Sequence, residues 1–290
     1  MTFKKVLACI DGSEESFHAF EETVKFAKEK NLTVFALTVA PSYQGDLSLI
    51  GIGVSVEDLS EYCTHQKCRP FNEISLKARE IASKYQVLVK TLHEEGEPFE
   101  KIIDVAEEIS ADLIVMGKKG MSALEQILMG SVTERVIGYS NTDVLVVPKN
   151  ASIKWDKVVL AVDVSKYAEK LCERALDIAK DFNSEINIVS TVEVSPAVFA
   201  IKPEIFDVQV EKTKQFLKEA EIKFQKENIV AKFFIEEGEA YEKILELVDK
   251  IKAQMIILGT HGRTGLRRLL MGSTCQRVIG LSKVPVLVVK

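Results

Sequence analysis

The fold is decided by a stretch that occurs twice: residues 113–133 read LIVMGKKGMSALEQILMGSVT, and residues 255–275 read MIILGTHGRTGLRRLLMGSTC. In both copies an apolar run leads into two glycines, and a Gly-Ser pair follows after nine further residues. The apolar run is typical of a buried parallel strand, and a Gly-Ser pair before a second apolar stretch is typical of a helix start. The stretch therefore predicts a strand, a glycine-rich loop and a helix, in that order.

The repeat extends over the whole chain. Segments on either side of this stretch recur at the same distance of 142 residues, whereas the first strands, 6–11 and 158–163, lie 152 residues apart. The difference of ten residues predicts a net insertion in the first copy, at about 41–72. We therefore expect two copies of one domain, at 1–150 and 153–290.

Each copy alternates predicted strands and helices. The predicted strands of the first copy are 6–10, 32–39, 87–92, 113–116 and 144–147, and its helices are 14–28, 74–84, 99–109 and 131–139. The predicted strands of the second copy are 157–162, 185–192, 229–235, 255–258 and 285–289. This alternation indicates an α/β fold with a parallel sheet covered by helices on both faces. Ligands of such sheets bind at the carboxyl ends of the strands, where the strand order reverses.

Composition excludes several classes of protein. Hydrophobic residues make up 47% of the 290 residues, which is enough for a packed core and excludes a disordered chain. No apolar run reaches the length of a membrane-spanning helix, and a net charge of −5 argues against nucleic-acid binding. The five cysteines form no disulfide pattern. We therefore expect a cytoplasmic protein.

Each copy places an acid directly after its first strand, Asp11 in the first copy and Asp163 in the second. Ser13 and Ser165 follow two residues later, where a serine can cap the next helix. The acid is then either a turn residue or an acceptor for a ribose hydroxyl or a base edge. Both interpretations fit the sequence.

The glycine loop and the following helix start predict a phosphate cradle. Glycines let backbone N–H groups approach an anion, and a helix N-terminus adds free donors and a partial positive charge. Hydroxyls come from Ser131 and Thr133 in one copy and from Ser273 and Thr274 in the other. The alternative is structural, because Ser131 and Glu134 have the spacing of a capping box, which the second copy repeats.

The full spacing, Gly-x2-Gly-x9-Gly-Ser in both copies, resembles the universal stress protein (UspA) family, in its ATP-binding branch. The resemblance covers both copies from end to end. It implies two Rossmann-like domains of the adenine nucleotide alpha hydrolase-like kind, each with a five-stranded parallel sheet. It further implies a bound adenine nucleotide (ATP, ADP or AMP), which can carry Mg²⁺.

The resemblance assigns nucleotide-binding positions to both copies. The acid that contacts adenine or ribose is Asp11, with Cys9 beside it on the strand. Their counterparts in the second copy are Asp163 and Ala161. The apolar residue that ends the second strand and flanks the base is Val39 or Val192. The residue before the loop and the ribose- and phosphate-contacting positions are Met116, Gly117, Gly120, Gly130, Ser131, Val132 and Thr133, and in the second copy Leu258, Gly259, Gly262, Gly272, Ser273, Thr274 and Cys275.

The two copies differ at these positions. Cys275 stands where the first copy has Thr133, and Val164 follows Asp163 where the first copy has a glycine. The second loop carries three arginines, Arg263 first among them, and arginine suits phosphate by geometry and charge. We expect both sites to be competent, with phosphates held more firmly in the second. A solvated loop is the alternative explanation of these arginines.

Other polar residues suggest weaker alternatives. Cys63, His65 and Cys68 in the insertion are compatible with a zinc site, a redox-sensitive pair or a plain loop, and no fourth ligand is evident. His261 lies in the second glycine loop, but Lys119 takes its place in the first copy, which favours loop polarity over catalysis. No catalytic residues and no metal site are predicted.

The last strand of each copy is predicted to lie at an edge of its sheet, and exposed edge strands tend to pair with other strands. The resemblance implies pairing of domains through this strand, so we expect the copies to form a pseudo-dimer within the chain and the full chain to form a homodimer. We predict a regulatory or stress-response module with little or no catalysis. The alternatives are a slow ATPase or phosphotransfer enzyme, and a partner-binding protein with vestigial pockets.

Overall fold

The structure is a computed structural model of the chain and describes residues 2–40, 72–118, 129–165, 167–193, 204–260 and 271–290. The predicted insertion, with Cys63, His65 and Cys68, lies outside the described residues except for its last position. Most of both glycine loops does so as well, including Gly120, His261, Gly262 and Arg263.

The first half alternates strands and helices as the sequence predicts. Its strands are β1 (Lys5–Cys9), β2 (Thr33–Ala40), β3 (Val89–Glu95), β4 (Leu113–Gly117) and β5 (Asp143–Val147). Its helices are α1 (Glu14–Lys30), α2 (72–84), α3 (Pro98–Glu108) and α4 (Ser131–Tyr139).

The second half repeats this order. Its strands are β6 (Lys157–Val162), β7 (Glu185–Val192), β8 (Ala231–Glu237), β9 (Met255–Gly259) and β10 (Val286–Val289). Its helices are α5 (Ala168–Phe182), α6 (Glu204–Lys226), α7 (Ala240–Ile251) and α8 (Ser273–Leu281). None of the described helices combines the length and apolar character that crossing a membrane requires.

The ten described strands form one sheet in the order β3-β2-β1-β4-β5-β10-β9-β6-β7-β8. Neighbouring strands are parallel within each half. The halves meet where β5 and β10 pair in antiparallel fashion, with Leu145 opposite Leu287. The last strands of the two copies therefore pair with each other inside the chain, as the sequence analysis expects.

Helices cover both faces of the sheet. One core contains side chains from α1, α2, α5 and α6, such as Phe20 and Phe224. The core on the opposite face contains side chains from α3, α4, α7 and α8, such as Ile137 and Ile279. The predicted α/β fold, with two Rossmann-like domains of five parallel strands each, is confirmed.

The predicted bounds are least accurate at the two outer strands. β3 and β8 continue to Glu95 and Glu237, beyond the predicted ends at 92 and 235, and each stops before a glycine with positive φ, Gly96 or Gly238. These strands lie at the sheet edges, so one side remains open to water. Polar residues continue the hydrogen-bonded ladder there, and an apolar pattern cannot reveal them.

An aromatic cluster joins the two halves outside the sheet. Phe3 and Phe26 of the first half pack against Trp155 and Phe182, with Trp155 stacked on Phe182 at a ring-centroid distance of 4.9 Å and Phe3 at 5.9 Å from Trp155. The Arg174 guanidinium lies 4.9 Å from the Phe3 ring centroid. The halves therefore share an apolar core as well as a sheet.

Candidate functional site

The strand order reverses next to β1 in the first half and next to β6 in the second. β1 lies between β2 and β4, with Lys5 opposite Thr33 and Val6 opposite Leu113. β6 lies in the same way between β7 and β9. In open parallel sheets this reversal is where ligands bind, beyond the carboxyl ends of the two central strands. Asp11 and Gly117, and likewise Asp163 and Gly259, lie at these ends.

The acid of the first half supports the start of α1. Asp11 Oδ1 accepts hydrogen bonds from the Ser13 N–H at 3.0 Å and from the Ser13 hydroxyl at 2.5 Å. Ser13 is the N-cap of α1, and its Oγ accepts a bond from the Ser16 N–H at 3.2 Å. Gly12 between them has a φ of +89°, which favours glycine. Asp11 thus makes the contacts of a turn residue, and its role as an acceptor for a nucleoside stays a prediction.

The acid of the second half has a different environment. Asp163 is half-buried, and its carboxylate makes no hydrogen bond or ion pair with any part of the chain that the structure describes. Helix α5 begins at Ala168, whereas the position equivalent to the start of α1 is 166, so α5 begins two residues later. The side chain of its N-cap residue, Tyr167, makes no capping hydrogen bond. Ser165 instead accepts a bond of 3.3 Å from the Tyr167 N–H.

Cys9 and Ala161 occupy equivalent half-buried positions at the ends of β1 and β6. Burial raises the pKa of the Cys9 thiol well above its ordinary value, and the charge of Asp11 raises it further. The thiol is therefore neutral near pH 7 and is not a nucleophile there.

Val39 and Val192 are not equivalent, although the sequence analysis pairs them. Because Lys5 pairs with Thr33 and Lys157 pairs with Glu185, the position equivalent to Val39 is Thr191. Val39 packs on the face covered by α3 and α4. Val192 lies on the same side of β7 as Ile186 and Ile188, which face the core of α5 and α6, and it is buried. The repeat distance of 152 residues, applied to this strand, identifies Thr191 without the structure.

The residues before the glycine loops belong to the core. Met116 and Leu258 are buried in the core on the face of α3 and α4, so only their backbone is available to a ligand. Gly117 has a packing role, because a Cβ on it would lie 2.7 Å from the backbone carbonyl carbon and oxygen of Glu15 in α1. Close helix–strand packing alone requires a glycine at this position.

The helix starts that follow the loops carry glycine caps. Gly130 and Gly272 are the N-caps of α4 and α8, and neither helix has a side-chain cap. Ser131 and Ser273 are the first helical residues and are exposed. The capping-box alternative, which needs the serine at the N-cap, is therefore wrong. Glu134 instead accepts a bond of 3.5 Å from Gln276, its equivalent in the other half.

The third residues of these helices, Thr133 and Cys275, are buried. Burial raises the pKa of the Cys275 thiol to about 12, and the nearby Lys290 ammonium opposes this rise. Neither side chain faces solvent, so the exchange of threonine for cysteine leaves the outer surface of the two helix starts alike. Val132 and Thr274 are half-buried. Each helix start thus offers backbone N–H groups and one exposed serine hydroxyl.

Lys118, the cation next to the first loop, turns towards the other half. Its Nζ donates a bond of 3.3 Å to the carbonyl of Ser282, the C-cap of α8, and burial lowers its pKa. A cation at this end of a helix is favourable because the carbonyl end carries a partial negative charge. Lys290 of the second half makes a similar contact in the other direction, from its Nζ to the carbonyl of Ile137 in α4.

Within the described ranges, no group of three His, Cys, Asp or Glu side chains is placed to hold a metal ion.

These features define a tandem α/β protein in which two Rossmann-like halves share one sheet and each places a glycine-capped helix start beside its strand reversal. Comparison with known proteins identifies the family. The chain belongs to the universal stress protein family, whose profile matches residues 2–148 and 154–290.

Single-domain relatives match about half of the chain. Universal stress protein MJ0531 of Methanocaldococcus jannaschii is 36% identical over 147 residues, which are 51% of this chain and 83% of that protein. Universal stress protein YxiE of Bacillus subtilis is 32% identical over 146 residues, 50% of this chain and 99% of that protein. A universal stress protein from Archaeoglobus fulgidus matches the whole fold, with a TM-score of 0.73, 24% identity and coverage of 99% of this chain and 98% of that one. The overall fold is therefore shared with that structure.

Proposed function

We propose that the chain binds an adenine nucleotide (ATP, ADP or AMP) in both halves and acts as a regulatory or stress-response module with little or no catalysis. The observation that carries the proposal is the repeated placement of a glycine-capped helix start next to an acid at the strand reversal. The helix start suits phosphate, and the acid suits the donors of a ribose or a base.

The glycine at the second helix start supports the fit of a nucleotide. Gly272 has a φ of −60° and a ψ of 143°, which any residue adopts. A Cβ on it would lie 3.4 Å from the Thr260 carbonyl oxygen, an ordinary contact, so nothing in the described part of the chain requires a glycine there. A ligand that approaches the backbone N–H groups does require one.

In this proposal different residues bind different parts of the nucleotide. Asp11 and Asp163 accept hydrogen bonds from the nucleoside. Phosphate oxygens accept bonds from the backbone N–H groups and serine hydroxyls at the starts of α4 and α8. Gly120, Gly262 and Arg263 belong to the proposed phosphate end, and Mg²⁺, where present, enters with the nucleotide phosphates.

Incubation of the purified full chain with ATP tests the proposal. We expect stoichiometric binding by calorimetry with no accumulation of ADP, and native mass spectrometry of untreated protein should show a retained adenine nucleotide. Steady ADP production would favour the alternative of a slow ATPase or phosphotransfer enzyme. The sequence lacks a Walker lysine and an obvious carboxylate pair for Mg²⁺, which argues against fast turnover. Absence of any binding would contradict the proposal and favour a partner-binding protein.

Replacement of both cap glycines tests the cradle itself. In a Gly130→Leu/Gly272→Leu variant a side chain occupies the space beside the N–H groups, so nucleotide binding should be lost while the circular dichroism spectrum is retained. Unchanged affinity in the folded variant would contradict the cradle.

Three further parts of the proposal concern the whole chain. We propose domain limits of 1–150 and 153–290, supported by the positions of the family match. A cytoplasmic location is supported by the free thiols of Cys9, Cys172 and Cys275. A homodimer would use a surface other than the last strands, since these already pair within the chain. The outer strands β3 and β8 are the edges of the described sheet and are candidates for such a surface, and analytical ultracentrifugation tests whether the chain forms a homodimer.

A further inference from the structure

We infer that the two nucleotide sites are unequal, and that the site in the second half binds more tightly and fills first. The inference rests on the proposed function, because it ranks two sites that the proposal treats as a pair. Comparisons between equivalent positions of the two halves carry it.

The acids differ in availability. Asp11 Oδ1 already accepts two hydrogen bonds from Ser13, which caps α1, so a nucleoside must compete with the helix cap for this carboxylate. Asp163 is half-buried and its carboxylate has no partner in the described part of the chain. A partly desolvated acceptor without a partner gains more from a ligand donor than one that must exchange an existing bond.

The charge beside the loop also differs. Gly117 touches the first turn of α1, where Glu14 and Glu15 stand, and one lysine, Lys149, lies 2.9 Å from Glu14 and 3.9 Å from Glu15. The equivalent positions in the second half are Lys166 and Tyr167. The first turn of α1 therefore carries two acids beside the loop, whereas the first turn of α5 carries one, Glu169.

The base of the second loop is closed. The Gly272 N–H donates a bond of 3.0 Å to the Thr260 carbonyl, which ties the start of α8 to the end of β9. The equivalent groups, those of Gly130 and Lys118, form no such bond in the described part of the first half. A helix start held in place before binding loses less conformational entropy when the ligand arrives.

The cation next to the first loop is already engaged. Lys118 donates to the Ser282 carbonyl across the domain boundary at 3.3 Å, so recruiting it to a phosphate in the first site would break that contact. The equivalent residue of the second half is Thr260, which carries no cation, so this comparison favours neither half and the inference rests on the other three.

Calorimetric titration of the full chain with ATP, in matched single variants, tests the inference. We expect the wild type to show a tight phase of one ATP per chain, followed by a weaker one. Asp163→Asn should weaken the tight phase by about tenfold or more, because it replaces a charged acceptor. The matched Asp11→Asn variant should weaken only the second phase.

The outcomes separate the inference from the function it rests on. Two sites of equal affinity, or a larger loss of the tight phase in Asp11→Asn, would overturn the inference while leaving nucleotide binding intact. Failure of the wild type to bind ATP would overturn both. If a thermal melt shows that an asparagine variant is not folded, Gly272→Leu and Gly130→Leu replace the pair. The tight phase should then disappear only in Gly272→Leu, and its loss in Gly130→Leu alone would refute the inference.

Discussion

At the scale of single residues, contacts across the fold determine the roles of the residues at the strand reversals and helix starts. Asp11, Gly117 and Thr133 lie at the strand reversal or the helix start, as predicted, because the apolar runs and glycines mark those places locally. Their packing partners are distant in sequence or hidden by burial: Gly117 touches Glu15 across the fold, and the Thr133 side chain points inward. No pattern within a short window contains that information.

The close approach of Gly117 to α1 makes it sensitive to a single methyl group. Gly117→Ala should lower the free energy of unfolding by roughly 1–3 kcal/mol, because the backbone of α1 has to move away from the new Cβ. Gly138 is the control: a Cβ there meets nothing within 4 Å. Gly138→Ala should be neutral or stabilise helix α4 by about 0.5–1 kcal/mol. Urea unfolding followed by circular dichroism measures both, and equal effects would refute the packing role of Gly117.

Burial of the thiols sets their reactivity with pH. Desolvation raises the pKa values of Cys172 and Cys275 to about 12, so at pH 8 both remain protonated in the folded protein. Only the thiolate reacts with iodoacetamide. Mass spectrometry after timed alkylation at pH 8 should find both cysteines unmodified in the native chain and modified in urea. Similar rates in the two conditions would show that these thiols are not buried.

At the scale of elements, the two halves differ where a helix begins. α1 starts at Glu14 behind a serine cap, whereas α5 starts two positions later in the repeat with no side-chain cap. The sequence predicts the same serine cap in both halves, because Ser13 and Ser165 are equivalent. The difference arises from the intervening residues, Gly12 with its positive φ and Val164 in its place, and such local backbone choices are weakly encoded in residue type.

The two serines therefore make different contributions to stability. Ser13→Ala should cost about 1 kcal/mol, the usual cost of losing a helix cap, and the bond to Asp11 is lost with it. Ser165→Ala should cost clearly less, since among the described residues the Ser165 hydroxyl accepts only the 3.3 Å bond from the Tyr167 N–H. Chemical denaturation of the two variants gives the comparison. A larger loss in Ser165→Ala would contradict the assignment of the caps.

At the scale of the whole molecule, the pairing of two similar halves depends on the repeat and not on local detail, and it is therefore predictable from the sequence. The repeat and the alternation of strands and helices predict two similar domains joined through their last strands, and the antiparallel pairing of β5 with β10 agrees with this. The remaining contacts between the halves were not predictable. Arg174 reaches Asp143 across the boundary at 2.7 Å, and this pair has no counterpart in the repeat, because position 22 is a glutamate and position 285 a proline.

The Arg174–Asp143 pair makes the two halves depend on each other. The Asp143 side chain is only 9% exposed, so Arg174→Met leaves a buried charge and should destabilise the protein by roughly 3 kcal/mol. Lys223→Met is the control, because Lys223 pairs with exposed Glu173, and its loss should cost about 0–1 kcal/mol. Fluorescence of Trp155, the only tryptophan, reports on the boundary. A fluorescence midpoint that Arg174→Met leaves unmoved would contradict the assigned role of the pair.

The antiparallel junction between β5 and β10 has a geometric consequence for the paired sites. Reversal of strand direction at the junction places the carboxyl ends of the parallel strands of the two halves at opposite rims of the sheet, so the two strand reversals face opposite rims. A partner protein that covers one of these rims would leave the other uncovered, so a partner that contacts both has to span the sheet or bind in two copies.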